Sequence, residues 1–413
     1  MEQTPPCALQ PTTPPPSGVA PTRRGFIRLA GGGVLAAAGT AGLGGCSDAF
    51  PAEALEAWRG PPADAELRRW AVAHAILAPN SHNRQPWLVD LREPDTILLR
   101  VDRERLLPMT DPWFRQILVS QGTFLEALVM ALAQRGQQAR VEMFPQGAFA
   151  PRAVDDRPVA RITWTRPESG DARDPLFPFL LRRHTAKVDY DTSRPVLPQA
   201  IQALQSGLVD PGVRFGATLE PARLQALRQL CEESARVELR TPRTVMESAQ
   251  LTRVGPQEIA RHRDGISINS PMLRLASAVG LYDRSQPPAE GSTAFDQVMA
   301  RFSGHSRTAM GFVWLSTPTA RHAAAGMTRH AEVQAGRAYL RLQLRATALG
   351  LQMHPMSQAP QEFPEMKPWY DRLHQLLLGQ PAEQETVQMF CRIGYCAEQQ
   401  HTPRRPLETF LRS

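Results

Sequence analysis

Ala78-Pro79-Asn80-Ser81-His82-Asn83-Arg84-Gln85-Pro86-Trp87 is a polar turn set between two apolar elements. Before it, Glu66 to Leu77 carries Leu67, Trp70, Ala71, His74 and Leu77 at helical spacing, and Pro79 ends that helix. After it, Trp87 to Leu91 and Thr96 to Val101 read as strands. Gly122 to Gln134 is a strongly apolar helix with Gly136 as its C-terminal cap. Val141 to Phe144 and Val159 to Trp164 are further strands. The pattern changes near residue 175. A helix over 199–207, a strand over 212–217 and a helix from Leu219 to Arg240 follow, then an irregular stretch over 241–310 rich in Gly, Ser and Pro. Met310 to Leu315 reads as a strand, Glu332 to Leu349 as a long helix and Thr386 to Cys396 as a strand.

The helix between Gly122 and Gly136 has a counterpart between Gly336 and Gly350 at the same spacing, which points to an internal duplication. The chain has 413 residues, ample for a large core, and 21% of them are charged. The formal net charge is +7 and rests almost wholly on arginine; Lys187 and Lys367 are the two lysines. No basic cluster is interleaved with aromatics, so nucleic acid is not the expected partner. Cys7, Cys46, Cys231, Cys391 and Cys396 form no CxxC pair, and no His/Cys group has zinc spacing. On one strand Cys391 and Cys396 would stand about 16 Å apart, too far for a disulfide. Cys231, Cys391 and Cys396 are therefore expected to be buried free thiols.

At the N-terminus a proline-rich stretch, expected to be disordered, precedes Arg23-Arg24 and a mild Gly/Ala-rich apolar run from Ala30 to Gly45. This resembles a twin-arginine (Tat) export signal. Leu43-Gly44-Gly45-Cys46 resembles a lipobox, which implies a lipid on Cys46 and attachment to a membrane surface; cleavage nearby with Cys46 incidental is the alternative. The expected organisation is a leader over 1–46, a tether over 47–64, a first half over 65–174 and a second half over 175–413 with an insertion or lid over 241–310.

Three segments together resemble the nitroreductase family of FMN-binding oxidoreductases, and more narrowly its long, tandem Acg-type branch. They are the turn quoted above, Arg182-Arg183-His184-Thr185-Ala186-Lys187, and the C-terminal Arg404-Arg405-Pro406-Leu407-Glu408. The resemblance implies an α+β nitroreductase-like fold, with two fused halves as an intrachain pseudo-dimer, each a sheet packed with helices. It also implies one FMN between the halves. Arg183, Thr185 and Arg405, with Arg182 or Arg404, would meet the phosphate, since guanidinium forks suit a dianion. Ser81, Asn83 and Gln85 would come from the turn, Asn83 offering an amide to the flavin's pyrimidine edge. Lys187 would place positive charge near flavin N1 and O2. Met356 and Ser357, within Gly350 to Gln358, are candidates for a loop beside the flavin. Trp87 and His74 read as core, and His354 as a satisfied loop histidine.

The implied activity is flavin-mediated electron transfer from NAD(P)H or another donor to a small organic acceptor. Export separates the protein from cytoplasmic NAD(P)H. A flavin-storing or sequestering protein is therefore carried beside it, as is a membrane-tethered interaction module. With the dimer internalised, a monomer is expected, periplasmic or membrane-anchored, with the Tat machinery as its export partner.

Overall fold

Each half of the chain builds the same four-stranded antiparallel sheet. In the computed structural model the described residues are 48–412, apart from 168–172, 209, 211, 281, 320–326, 380, 381 and 383. Arg23, Arg24 and Cys46 lie outside them.

The first half starts with α1 (Leu67–Ala75), whose N-terminal cap is the Glu66 carboxylate accepting the Arg69 N–H at 3.1 Å. Strands β1 (Trp87–Asp90) and β2 (Ile97–Val101) follow. Next come α2 (Arg115–Gln134), β3 (Gln138–Met143) and β4 (Ala160–Thr165). The sheet order is β1-β2-β4-β3. Along β2 residues alternate between buried and half-buried, as a strand with one face on the core requires. Asp111 fixes the start of α2, its carboxyl accepting from the N–H groups of Gln116 and Ile117.

In the second half α3 (Pro198–Gln205) leads into β5 (Arg214–Thr218). An insertion follows, built of α4 (Pro221–Arg240), α5 (Pro242–Gln250), β6 (Thr252–Val254) and α6 (Gly255–His262). It continues with β7 (Ile266–Ile268), α7 (Pro271–Ala278) and α8 (Thr293–Arg307). The chain then resumes with β8 (Gly311–Pro318), α9 (Met327–Ala348), β9 (Gln352–Pro355), α10 (Lys367–Leu378) and β10 (Glu385–Gly394). The second sheet runs β5-β8-β10-β9, the first half's order repeated strand for strand. The architecture is the expected α+β one, with a sheet and helices in each half.

The two halves meet along α2 and α9. A Cβ on Gly122 would collide with Val333 O, and one on Gly336 with Val119 O, so the glycines let the two backbones touch reciprocally. Two buried arginines repeat the reciprocity, each seven residues before its glycine. Arg115 of the first half bonds Glu362 and Val387 O of the second; Arg329 of the second bonds Trp113 O and Ala150 O of the first. Glu126 of α2 pairs with Arg337 and Arg341 of α9. The C-terminal tail also returns to the first half, where Leu411 bridges Val89.

Three expectations change. Residues 48–64 are no slack tether. Ala54 and Trp58 are buried, and Phe50 N donates to Gln400 while Arg404 N donates to Ala54 O. Residues 241–310 are largely regular, and the insertion begins earlier, directly after β5. Cys396 is half-buried, whereas Cys231 and Cys391 are buried; all three are free. Among the described residues α2 alone is long and apolar enough to cross a membrane, and it is mostly buried inside the fold.

Candidate functional site

The turn after α1 is held in an unusual backbone state. His82, Asn83 and Gln85 all have positive φ, at 47°, 50° and 53°. Non-glycine residues are uncommon there, and such strain clusters at functional sites when neighbours enforce it. Asn80 enforces it by accepting the Gln85 N–H at 2.7 Å, and Gln85 Nε2 donates to Arg263 O in the insertion at 2.8 Å.

The turn's amides grip the C-terminal tail. Asn83 Nδ2 donates to Pro403 O at 3.0 Å, and its Oδ1 accepts from Arg404 at 2.7 Å. Gln85 Oε1 accepts the Arg405 N–H at 2.9 Å. Ser81 Oγ donates to Gln116 Oε1 at 2.8 Å. Of these side chains, all expected at the flavin, Asn83 and Gln85 here hold the tail and Ser81 holds α2.

The arginines expected as one phosphate set fall into one pair and two outliers. Arg183 and Arg404 are buried together and both donate to Leu77 O at 3.2 Å, where α1 ends and its free carbonyls favour cations. Arg404 is fully engaged, donating also to Ile76 O and Ala78 O. Arg183 keeps its Nε without a partner, and burial draws its pKa down to about 10. Trp58 covers the pair. Its ring centroid lies 5.4 Å from the Arg183 guanidinium and 5.1 Å from that of Arg404, and it stacks on His401 at 4.1 Å. Arg405 stands apart, beside Asp102 and Gln85 O. Arg182 is exposed next to Phe179.

Sequence reasoning missed the other groups around Arg183. Tyr339 of α9 is buried near Arg183 with its hydroxyl unpartnered, and burial holds its pKa well above the usual phenol value, so it stays protonated. Gln343, one turn on, donates to Thr185 Oγ1 at 3.2 Å. His184 Nε2 and His401 Nε2 are likewise buried and unpartnered. Buried polar atoms are normally satisfied, so this concentration of open ones marks a place built for a polar ligand. An arginine Nε and a phenol hydroxyl can both donate to a phosphate oxygen. The donor set therefore fits a phosphate.

Lys187, four residues on, is open to solvent. Solvent reaches its side chain, yet the surrounding protein penalises its charge, the combination that a recess or cleft in the fold would give. Burial first, then the charge of Arg301, lowers its pKa to about 8. His82 is near enough to feel it: burial, then the charge of Lys187, depresses the His82 pKa to about 4.

Beneath Lys187 the backbone is pinned from below. Arg392, fully buried on β10, donates to Val188 O at 2.6 Å, to Ala186 O at 3.4 Å and to His305 O at 2.9 Å. Its Nε bonds His354 Nδ1 at 3.0 Å, so His354 is a strand residue satisfied by an arginine rather than a loop histidine. His305 Nε2 lies 3.0 Å from Lys187 O. An arginine inside the apolar run from Met389 to Cys396 was the signal available in the sequence. Met356 is packed in the core with Phe390 and Leu373; Ser357 is half-buried beside it. Among the described residues no group of His, Cys, Asp and Glu could hold a metal.

No family model matches the sequence. A Mycobacterium tuberculosis protein named as NAD(P)H nitroreductase acg is 40% identical over 75 residues, 18% of this chain and 22% of that protein. A second protein of that organism with a nitroreductase name is 39% identical over 82 residues, 20% of this chain and 24% of its own. The match thus spans under a quarter of these two curated relatives. Likeness to solved structures is slight. The FMN-dependent nitroreductase NfnB of Mycobacterium smegmatis, solved with NADPH, is 16% identical with a TM-score of 0.34, over 57% of this chain and 96% of its own. An Anabaena variabilis nitroreductase structure gives 11% and 0.38, over 73% and 69%.

Proposed function

We propose that this chain is an exported FMN-binding oxidoreductase of the nitroreductase kind, passing electrons from NAD(P)H or another donor to a small organic acceptor. One juxtaposition carries the reading. Arg183, with its open Nε beside the Tyr339 hydroxyl, and Lys187, in a solvent-reached cleft, stand four residues apart on one non-helical segment. Four extended residues span at most about 13 Å, a suitable separation for the phosphate end and the ring of one mononucleotide. The relatives' nitroreductase names support the same reading.

In this reading Arg183, Thr185 and Tyr339 hold the phosphate. Lys187, whose pKa of about 8 leaves it largely charged at neutral pH, offers a cation to the ring edge. A bound flavin would supply the redox chemistry; the protein sets its position and potential. Arg23 and Arg24 direct export of the folded, loaded protein, and a lipid on Cys46 attaches the monomer to the membrane surface. The packing of α8 along the backbone at Lys187 and Tyr190 favours a second reading, in which the flavin is stored or takes electrons from a membrane partner.

The visible spectrum of the purified protein tests both. Flavin bands that bleach quickly with NADPH and recover with a nitroaromatic or quinone support turnover. Bands that resist NADPH support storage. A colourless protein that takes up no added FMN overturns the proposal. Cell fractionation, with Arg23 and Arg24 exchanged for lysine, checks export: the variant should stay in the cytoplasm.

A further inference from the structure

The insertion brings a second cation to the Lys187 cleft. Helix α8 lies along residues 186–190 at three points. His305 Nε2 meets Lys187 O, Thr308 Oγ1 accepts the Tyr190 N–H at 3.1 Å, and a Cβ on Gly304 would meet the Asp189 carboxylate. Arg301 stands one turn before His305, so it shares the helix face that looks onto this segment.

Like Lys187, Arg301 is reached by solvent, and after burial its charge is what lowers the pKa of Lys187. Among the described residues neither makes an ion pair or a side-chain hydrogen bond with a carboxylate, though nearly every other enclosed arginine in the chain has one or caps carbonyls. Asp189 pairs with neither. Enclosed charge is costly unless it is paired, and two like charges raise that cost. Lys187 cannot withdraw readily, because Arg392 and His305 hold the carbonyls of residues 186, 187 and 188. The missing partner is therefore an anion that arrives from outside.

We propose that Lys187 and Arg301 form a binding site for a delocalised monoanion on a small ligand, with Arg301 as its specificity-determining residue. The inference deepens the oxidoreductase reading and rests on it only for the ligand's fate. The anion has two possible sources: a carboxylate on the electron acceptor, or the ring edge of reduced flavin.

The test is calorimetric titration of the full-length protein with 4-nitrobenzoate and with neutral nitrobenzene. Wild type should bind the benzoate at least tenfold more tightly. Arg301→Gln should abolish that preference, and Arg301→Lys should keep it. Both variants should melt as wild type does, since Arg301 holds no structural ion pair. If Arg301→Gln leaves the benzoate preference intact but lowers the flavin's midpoint potential, the anion is the reduced ring and the site stands. If neither the preference nor the potential moves, the proposal is overturned. A protein without flavin still gives the calorimetric result, so failure of the functional reading is separable from failure of this site.

Discussion

His305 shows how a single buried side chain ties the site to pH. It is nearly inaccessible, and the cations Arg392, Arg301 and Lys187 surround it, with His354 at 5.1 Å ring to ring. Burial first and these cations next depress its pKa to about 3, from an ordinary 6.5. The unfolded chain therefore binds one more proton than the folded one between pH 6.5 and about 3. Stability must fall as pH falls through that window, by up to about 1.4 kcal/mol per pH unit. His305→Gln keeps an N–H donor for Lys187 O but cannot titrate. Between pH 6.5 and 4.5, urea unfolding should show wild type losing about 2 kcal/mol more than the variant. Equal slopes would mean that His305 is readily protonated in place. At this scale the sequence was only partly legible. Arg183 and Lys187 were visible because a compact motif frames them. Tyr339, Arg301 and Arg392 were not, because each is brought to the site by tertiary packing from a remote element, and a lone arginine or tyrosine carries no local signal.

The elements tell a similar story with a different cause. The long helices and the sheet strands were readable because periodicity survives in them, as in the apolar stretch of α2. The insertion was read as irregular because of its Gly and Pro residues, yet α5, α6 and α7 each carry proline at the first or second helical position. There proline loses no hydrogen bond and presets φ, so it starts a helix rather than breaking one. The glycine pairs were legible as a repeat, but their meaning is one of contact. Gly122 and Gly336 lie where α2 and α9 touch backbone to backbone, whereas Gly136 has open space around it and a φ of +70°. Gly136→Ala should therefore cost only about 1 kcal/mol, the strain of a left-handed alanine. Gly122→Ala and Gly336→Ala each force two main chains apart and should cost about 3 kcal/mol or more. Because each glycine meets the other, the double variant should cost less than the sum of the singles. Denaturant unfolding of the four variants gives the ranking, and a Gly136→Ala cost equal to the others would contradict it.

Across the whole molecule, the segment that follows Cys46 is part of the closure. Residues 48–60 lie between the insertion and the tail: Asn269 donates to Ala49 O, Phe50 N donates to Gln400, and Trp58 Nε1 donates to Thr402 O at 2.8 Å. The tail in turn is gripped by Asn83 and Gln85 of the first half. Three separate stretches thus converge on Arg183 and Arg404, and Trp58 is the side chain that joins them. Residues 48–60 and the tail thus seal one polar pocket between them. Trp58→Ala removes the stack on His401, the cover over both guanidiniums and the bond to the tail. Truncations of buried aromatics cost about 3–5 kcal/mol, and this one should fall in that range. Trp58→Phe keeps an aromatic face and loses mainly the N–H bond, worth about 1 kcal/mol. If the pocket holds a flavin phosphate, the alanine variant should also release its flavin on dialysis while the phenylalanine variant retains it. Thermal melting and the retained absorbance separate the two effects. An alanine variant as stable as wild type would show that residues 48–60 merely rest on the surface, and that the pocket is closed by the tail alone.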